Sequence, residues 1–263
     1  MNPKLVSHIL KHTGIDLGLH PIPENDLDLL EEASNNDFNT LSCFIKRRLA
    51  GEPIEYIIGF VKLGELKIPI DKRAYITDPE AIHLVNHLTQ ILRGEPPKRV
   101  LEIGTGCGSL SFAIERACPH HRYLAVDIDS NAIDLAKDNA QKLDSKIEFL
   151  VSDFFWGLSD DYIPDIIFAD PPWGNETSIY DGESRPVDHY HAMPVISVWP
   201  FKSVTGIHEQ IIDEIKNKRW KCTLIMNFGM LDISTIEAAI SNGPIPKLMH
   251  PVDNVTLVQL QFN

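Results

Sequence analysis

The chain has 263 residues, of which 43% are hydrophobic and 23% are charged. This composition is typical of a globular protein and excludes a wholly disordered or collagen-like chain. The 24 Lys and Arg residues against 37 Asp and Glu residues give a net charge of −13, which argues against a broad nucleic-acid groove because such a surface repels phosphates. The four cysteines are scattered, and neither a membrane-length apolar run nor a signal-peptide core is present, so we expect a cytoplasmic protein without a membrane partner.

The N-terminal part of the chain is predicted to be helical. Apolar residues recur at helix-like spacings over residues 1–59, with prolines and glycines between them, which predicts a small helical domain. Residues 60–76 alternate apolar and polar side chains and predict a linking hairpin. Thr77 to Glu80 then predict a helix start, with Pro79 near the first helical position and the helix continuing to Leu92.

Short apolar strands alternate with helices over the rest of the chain. The predicted strands are 99–103, 122–128, 147–151, 165–169, 222–228 and 255–262, and the predicted helices are 109–118, 129–143, 207–217 and 233–241. This alternation predicts an α/β fold with a mostly parallel sheet. Residues 174–205 interrupt the order and are predicted to form a long irregular loop, which is typical of a functional segment.

A glycine-rich segment, residues 104–108, lies between the first of these strands and its helix, and we call it the glycine turn. Glycines here let the backbone turn sharply and approach a ligand. Asp127 ends the next strand, where a carboxylate can accept hydrogen bonds from both hydroxyls of a ribose, and Asp153 ends the third. These features predict a nucleoside cofactor. The G-x-G-x-G spacing and the preceding Glu102 favour S-adenosylmethionine (SAM) over NAD, because an acid there can face the cationic amino acid end of SAM but would repel a pyrophosphate.

The segment Asp170-Pro171-Pro172-Trp173 directly follows the fourth strand. Two consecutive prolines stiffen the backbone and remove two N–H donors. Ligands of open α/β sheets bind at the carboxyl ends of strands, so we expect Asp170 to face the substrate beside the cofactor. An acceptor such as Asp170 can orient a nitrogen nucleophile through its N–H groups. Trp173 offers a flat face for a planar group or a sulfonium cation.

Residues of the long loop give weaker signals. His189 and His191 could ligate a metal, but no further ligand cluster supports this, so we predict no metal site. The side chains of Tyr180, Tyr190 and Trp199 could form an aromatic lid over the substrate or pack without touching it.

These motifs resemble the class I SAM-dependent methyltransferases, and more narrowly the HemK/PrmC family of protein-glutamine N-methyltransferases. The resemblance covers most of the chain, from Arg48–Gly59 to the Asp-Pro-Pro-Trp segment. It implies a Rossmann-like seven-stranded sheet, with a helical domain at 1–59, a hairpin at 60–76 and a SAM-binding domain at 77–263.

The motifs, the residues of the long loop and the resemblance together predict roles for individual residues. The predicted cofactor-binding residues are Glu102, Gly104, Thr105, Gly106, Gly108, Asp127, Ile128, Asp153, Phe154 and Asp170. The predicted catalytic residues are Asp170, Pro171 and Trp173, and the predicted substrate-binding residues are Trp173, Tyr180, His189, Tyr190, His191 and Trp199.

Two positions depart from the family pattern Asn-Pro-Pro-Tyr, because Asp170 replaces the asparagine and Trp173 the tyrosine. An asparagine amide both donates and accepts, whereas an ionised aspartate only accepts. The change favours an acceptor nitrogen in an amine, a guanidine or an exocyclic base amine over a glutamine amide. The segment 77–80 also lacks the family's arginine, which argues against a release-factor substrate.

The sequence thus predicts methyl transfer from SAM to a nitrogen of a small molecule, peptide or protein side chain. One alternative is a SAM-consuming enzyme that releases methylthioadenosine by intramolecular cyclisation. A second is an adenine N-methyltransferase of nucleic acid, since such enzymes share the Asp-Pro-Pro-Trp form and some share a segment like His189–Met193. A third is a SAM-binding protein without catalysis. The sequence does not indicate the oligomeric state.

Overall fold

A computed structural model describes residues 22–35, 37–174, 187–200, 203–252 and 255–263. The helices of the N-terminal part are α1 (Glu24–Ala33), α2 (Phe38–Leu49) and α3 (Ile54–Ile58). Asp37 caps α2, since its carboxylate accepts a hydrogen bond from the Thr40 backbone N–H at 2.9 Å. The helices bury a small apolar core of their own. A domain boundary at residue 59 stays a prediction.

A two-stranded antiparallel hairpin follows these helices. It consists of β1 (Phe60–Leu63) and β2 (Leu66–Pro69), as the alternating sequence pattern predicts. A single 3₁₀ turn, Pro79–Ala81, then leads into α4 (Ile82–Leu92). Pro79 at the first position of this turn fits its fixed φ and missing N–H.

The main sheet has seven strands in the described part of the chain. They are β3 (Arg99–Ile103), β4 (Arg122–Asp127), β5 (Glu148–Val151), β6 (Ile166–Ala169), β7 (Thr223–Asn227), β8 (Pro246–Val252) and β9 (Val255–Gln261). The order is β5-β4-β3-β6-β7-β9-β8. The first five of these are parallel, and β9 runs antiparallel to both β7 and β8. The predicted α/β class with a mostly parallel sheet is confirmed.

Helices cover both faces of this sheet. They are α5 (Ser109–Ala117), α6 (Ser130–Leu143), α7 (Val187–His191), α8 (Val195–Val198), α9 (Gly206–Lys218) and α10 (Ile233–Ile240). Alternate residues of β6 enter two separate cores: Ile166 and Phe168 pack on one face, Ile167 and Ala169 on the other. Because both faces are buried, most polar side chains are left to the strand ends, and Glu102 within β3 is an exception.

Two elements differ from the sequence-based expectation. Strand β8 was not predicted, because it is an edge strand whose residues are exposed or half-buried, with Pro246 at its start. Edge strands tolerate proline and lack a clear apolar alternation. Residues 174–205 are not wholly irregular, since α7 and α8 form within them. Helices this short carry too little periodicity to be recognised. None of the helices in the described residues is long and apolar enough to cross a bilayer.

Candidate active site

The glycine turn connects β3 to α5 and is fixed to the neighbouring strand. The backbone N–H groups of Gly104 and Thr105 both donate to the Val126 carbonyl, at 2.8 and 3.0 Å. A Cβ added at Gly108 would lie 2.5 Å from the Phe112 ring, whereas one added at Gly104 would meet nothing within 4 Å. Gly108 therefore permits close packing of the helix, while Gly104 leaves the outer side of the turn open to a ligand.

Asp127, the last residue of β4, is held by backbone donors on both of its carboxylate oxygens. Its Oδ2 accepts from the Gly106 N–H at 2.8 Å, and its Oδ1 from the Asp129 N–H at 3.0 Å. Burial raises the pKa of this carboxyl, and the hydrogen bonds oppose the rise. Each oxygen keeps a second lone pair, so a rigid, half-buried acceptor lies where the sequence predicts a ribose contact.

Three further residues predicted to bind the cofactor follow β4 and β5, whose ends are paired at Asp127 and Val151. Ile128 is half exposed and Asp153 is exposed. Phe154 is buried and has a positive φ of 46°. Their contact with the cofactor stays a prediction.

Glu102 lies beneath the glycine turn and is only 1% exposed. Its Oε2 accepts hydrogen bonds from the hydroxyls of Thr105 and Ser111, and its Oε1 has no partner among the described residues. Burial raises the Glu102 pKa to about 8, and the charges of Asp127 and Asp170 act in the same direction. The carboxyl is therefore mostly protonated at neutral pH unless a cation approaches it.

Asp170 directly follows β6, and its side chain is hydrogen-bonded to the side-chain amide of Asn227. Its Oδ1 accepts a hydrogen bond from Asn227 Nδ2 at 2.9 Å. Burial raises the Asp170 pKa to about 6, the Asn227 bond opposes this rise, and the charge of Asp78 adds to it. A pKa of about 6 leaves roughly nine-tenths of this carboxyl ionised at pH 7. Asp170 is thus a hydrogen-bond acceptor under ordinary conditions.

Trp173 lies against the loop that follows β7. A Cβ added at Gly229 would lie 2.0 Å from the Trp173 ring, so the indole rests directly on the Gly229 backbone. The next residue, Gly174, donates its N–H to the Val204 carbonyl at 3.0 Å. We call the segment Asp170–Trp173 the elbow. Pro171 is buried and Trp173 is half-buried, so the elbow is anchored at Pro171 and exposes part of the Trp173 indole.

Sequence reasoning missed Asn227, the last residue of β7. It is 7% exposed. Its Nδ2 donates to Asp170 and its Oδ1 accepts from the Gly229 N–H at 3.0 Å. The signal that could have found it is the one used for Asp127 and Asp170, a polar residue ending an apolar strand at the carboxyl edge of the sheet.

The order of the strands brings these groups together. Strand β3 lies between β4 and β6, and its Ile103 is paired with Val126 on one side and Ala169 on the other. The glycine turn is therefore flanked by Asp127 and Asp170.

The structure brings only part of the predicted substrate-binding set into view, and Tyr180 lies outside the described residues. His189 is buried and meets the Tyr190 ring edge-on at 5.4 Å between centroids. Tyr190 belongs to the main core, Trp199 packs against that core, and His191 is exposed. Substrate contact by these residues stays a prediction. In the described parts of the chain, no three His, Cys, Asp or Glu side chains form a group that could hold a metal ion.

Comparison with solved structures identifies the fold of this chain. The alignment with the hMettl16 catalytic domain, solved in complex with the MAT2A 3′UTR hairpin 6, has a TM-score of 0.58 at 14% identity and covers 92% of this chain and 94% of that one. The T. thermophilus 16S rRNA methyltransferase RsmC, in complex with AdoMet and guanosine, gives a TM-score of 0.55 at 14% identity over 78% of this chain and 50% of that one. The chain has the class I, Rossmann-like methyltransferase fold.

Sequence comparisons narrow this class. Residues 77–182 match the family model "Methyltransferase small domain". The release factor glutamine methyltransferase of Rhodopirellula baltica is 34% identical over 143 residues, which is 52% of this chain and 48% of that protein. The Lactococcus lactis protein of the same name is 27% identical over 210 residues, 79% of this chain and 70% of that one. The chain spans about half the length of the first of these relatives. Over the aligned residues, this chain is similar to release factor glutamine methyltransferases, which confirms the HemK/PrmC-like resemblance seen in its motifs.

Proposed function

We propose that this protein binds SAM and transfers its methyl group to a nitrogen atom of a small molecule, peptide or protein side chain. One observation carries the proposal: the glycine turn, the Asp127 carboxylate and the Asp170 elbow lie on three adjacent strand ends. A cofactor bound along the first two would have its reactive end near the third, as the geometry of open α/β sheets requires.

The side chains of the site fit SAM. Glu102, Asp127 and Asp170 are all acids. Burial is the main cause of the raised Glu102 pKa, and the charges of Asp127 and Asp170 raise it further. Such a group of carboxyls suits a cofactor that carries an ammonium and a sulfonium, and it disfavours a pyrophosphate. When bound, SAM supplies an electrophilic methyl group on positively charged sulfur. The glycine turn and Asp127 would hold it, with Glu102 below.

Asp170 would orient the acceptor nitrogen. Asn227 occupies its Oδ1, so Oδ2 can accept a hydrogen bond from an acceptor N–H. That bond fixes the direction of the nitrogen lone pair, and the negative oxygen stabilises positive charge as it develops on nitrogen. Trp173, resting on Gly229, supplies the flat wall on which the acceptor would lie.

The acceptor we propose is the nitrogen of a group that has N–H donors and no carbonyl oxygen, as in an amine. The relatives are named for glutamine methylation of a release factor. A glutamine amide, however, also needs a donor for its carbonyl, and the aspartate at position 170 supplies none when ionised. The acidic surface of this protein, which we expect to be cytoplasmic, would attract such an acceptor and would repel a polynucleotide.

Labelled SAM added to a cell extract tests this proposal. We expect label in the protein or small-molecule fraction, with a fall of about 10²–10³-fold in the D170A variant, as for loss of a key transition-state contact. Calorimetry with adenosylhomocysteine should show that D170A still binds the cofactor product. The exposed Asp161 gives a matched control, because D161N should match the wild type.

Each alternative predicts a different result in the same experiment. Label confined to nucleic acid would identify an adenine methyltransferase, and release of methylthioadenosine would identify cyclisation. Binding without turnover on any fraction would leave a SAM-binding protein. Undiminished transfer by D170A would remove the role of the elbow.

A further inference from the structure

Asn227 connects the two features that would form the acceptor site. Its Nδ2 donates to Asp170 Oδ1 at 2.9 Å, across 57 residues of chain, and its Oδ1 accepts from the Gly229 N–H at 3.0 Å. Gly229 in turn supports the Trp173 ring, since any Cβ there would lie 2.0 Å from it. One buried amide therefore contacts the carboxylate directly and the indole through a single backbone unit.

The orientation of this amide is fixed by its partners. A backbone N–H can only donate, so the atom facing Gly229 must be the amide oxygen, and the atom facing Asp170 must be the amide nitrogen. Asn227 cannot turn over to accept a proton from Asp170 without losing the Gly229 bond. The amide thus always offers Asp170 a donor, and a donor favours the ionised carboxylate.

The backbone of Asn227 is held as firmly as its side chain. His208 is fully buried, and its Nε2 lies 2.8 Å from the Asn227 carbonyl oxygen. Burial lowers the His208 pKa to about 4, so the ring is neutral at pH 7 and donates its Nε2–H to that carbonyl. On the next residues, Phe228 N–H donates to the Thr256 carbonyl at 2.8 Å. These contacts leave the amide little freedom to move.

We propose that Asn227 is the positioning residue of the acceptor site: it keeps Asp170 an ionised acceptor with one oxygen open, and it sets the Gly229 backbone on which Trp173 rests. This inference rests on the proposed function for its meaning, but the two contacts can be tested without a cofactor or an acceptor.

The two ends of the amide can be separated by substitution. N227D keeps an oxygen for Gly229 and replaces the donor to Asp170 by a second carboxylate. N227L removes both contacts at similar volume. The exposed Asn131, whose side chain donates to Asp129, gives the matched control N131L.

Carbon-13 NMR titration of the Asp170 carboxyl in the full-length protein measures the first contact, with the resonance assigned from D170N. We expect the Asp170 pKa, about 6 in the wild type, to rise in N227L and to rise further in N227D, because two adjacent carboxylates resist joint ionisation. N131L should leave it unchanged. An Asp170 pKa that stays the same in N227D would overturn the proposal.

Fluorine NMR of 5-fluorotryptophan-labelled protein measures the second contact, with the Trp173 signal assigned from W173F. The signal should shift in N227L and stay in place in N227D. If N227L does not fold, N227D remains a complete test of the Asp170 contact, and the pH midpoint of methyl transfer should move upward with the carboxyl pKa. A shifted pKa in a protein that transfers no methyl group to any acceptor would defeat the proposed function and leave the positioning role intact.

Discussion

At the scale of single residues, the unusual group is a carboxyl buried under the glycine turn. Glu102 is 1% exposed, and burial raises its pKa to about 8. At pH 7 roughly nine-tenths of this group is protonated, although the sequence predicts that it faces the cationic amino acid end of SAM. Both statements hold if ligand binding changes the charge of Glu102.

We therefore predict that the protein releases a proton when it binds adenosylhomocysteine at pH 7. The ligand's ammonium group favours the Glu102 carboxylate and lowers its pKa, so the free protein must lose the proton that it carries. Affinity should accordingly rise with pH and level off above about 8, the pKa of free Glu102. Calorimetry in two buffers of different ionisation enthalpy measures the number of protons, which should approach one.

The E102Q variant is the control for this prediction, since it cannot ionise and should show heats independent of the buffer. The D161N variant, changed at an exposed acid, should behave like the wild type. Equal heats for the wild type in both buffers would mean that Glu102 is not coupled to the ligand.

The residues that the sequence could indicate are those that carry a local pattern. Asp127 ends an apolar strand a fixed distance after a glycine turn, and Asp170 precedes two prolines, so each is conspicuous within a few residues of sequence. Asn227 also ends an apolar strand, but no neighbouring glycine turn or pair of prolines marks it. Its importance depends on the pairing of β6 with β7, which joins it to a residue 57 positions away, and a pattern read along the chain does not contain that pairing.

At the scale of elements, one side chain joins the hairpin to the glycine turn. Asn139 of α6 is fully buried, and its Nδ2 donates to the Pro69 carbonyl at 2.9 Å and to the Cys107 carbonyl at 3.0 Å. Because Pro69 ends β2 and Cys107 lies in the glycine turn, this amide ties the hairpin to the part of the chain expected to hold the cofactor.

We predict that N139A lowers both the stability and the cofactor affinity of the protein. Two buried carbonyls would lose their donor, at a cost of about 2–4 kcal/mol in the free energy of unfolding, and the glycine turn would lose a support. Urea unfolding and adenosylhomocysteine titration measure the two effects. N131A, which removes an exposed asparagine, should change neither. If N139A were as stable as N131A, the link between hairpin and turn would be unimportant.

The elements that were predicted correctly are those with a strong apolar signal. Strand β6 is buried on both faces and is a continuous apolar run. Strands β3 and β4 are mostly apolar and mostly buried. The pattern that identifies β9 is the alternation of its residues. Strand β8 pairs with β9 at the edge of the sheet, where its half-exposed residues need not be apolar. Its existence follows from the partner that it covers and not from its own composition.

At the scale of the whole molecule, the acids of the site belong to a chain with a net charge of −13. Charges spread over a protein add up to a potential that extends about one Debye length, roughly 10 Å at 0.1 M salt. This potential attracts positively charged acceptors to the site and slows the approach of polyanions. The net charge of the chain thus favours a positively charged acceptor, and the Asp170 carboxylate favours the same class of acceptor within the site.

We predict that methyl transfer to the acceptor found in the labelling experiment weakens as salt rises. For an amine that approaches as the ammonium ion and gives up a proton to solvent before methyl transfer, kcat/KM should fall by about 3- to 10-fold between 25 and 250 mM salt, because the attraction to a chain of charge −13 is screened. Adenosylhomocysteine carries no net charge at pH 7, so its affinity should stay nearly constant across the same range and serves as the internal control. A kcat/KM that is independent of salt would indicate a neutral acceptor such as an amide. A kcat/KM that rises with salt would indicate a polyanion, because screening would then relieve a repulsion between acceptor and protein.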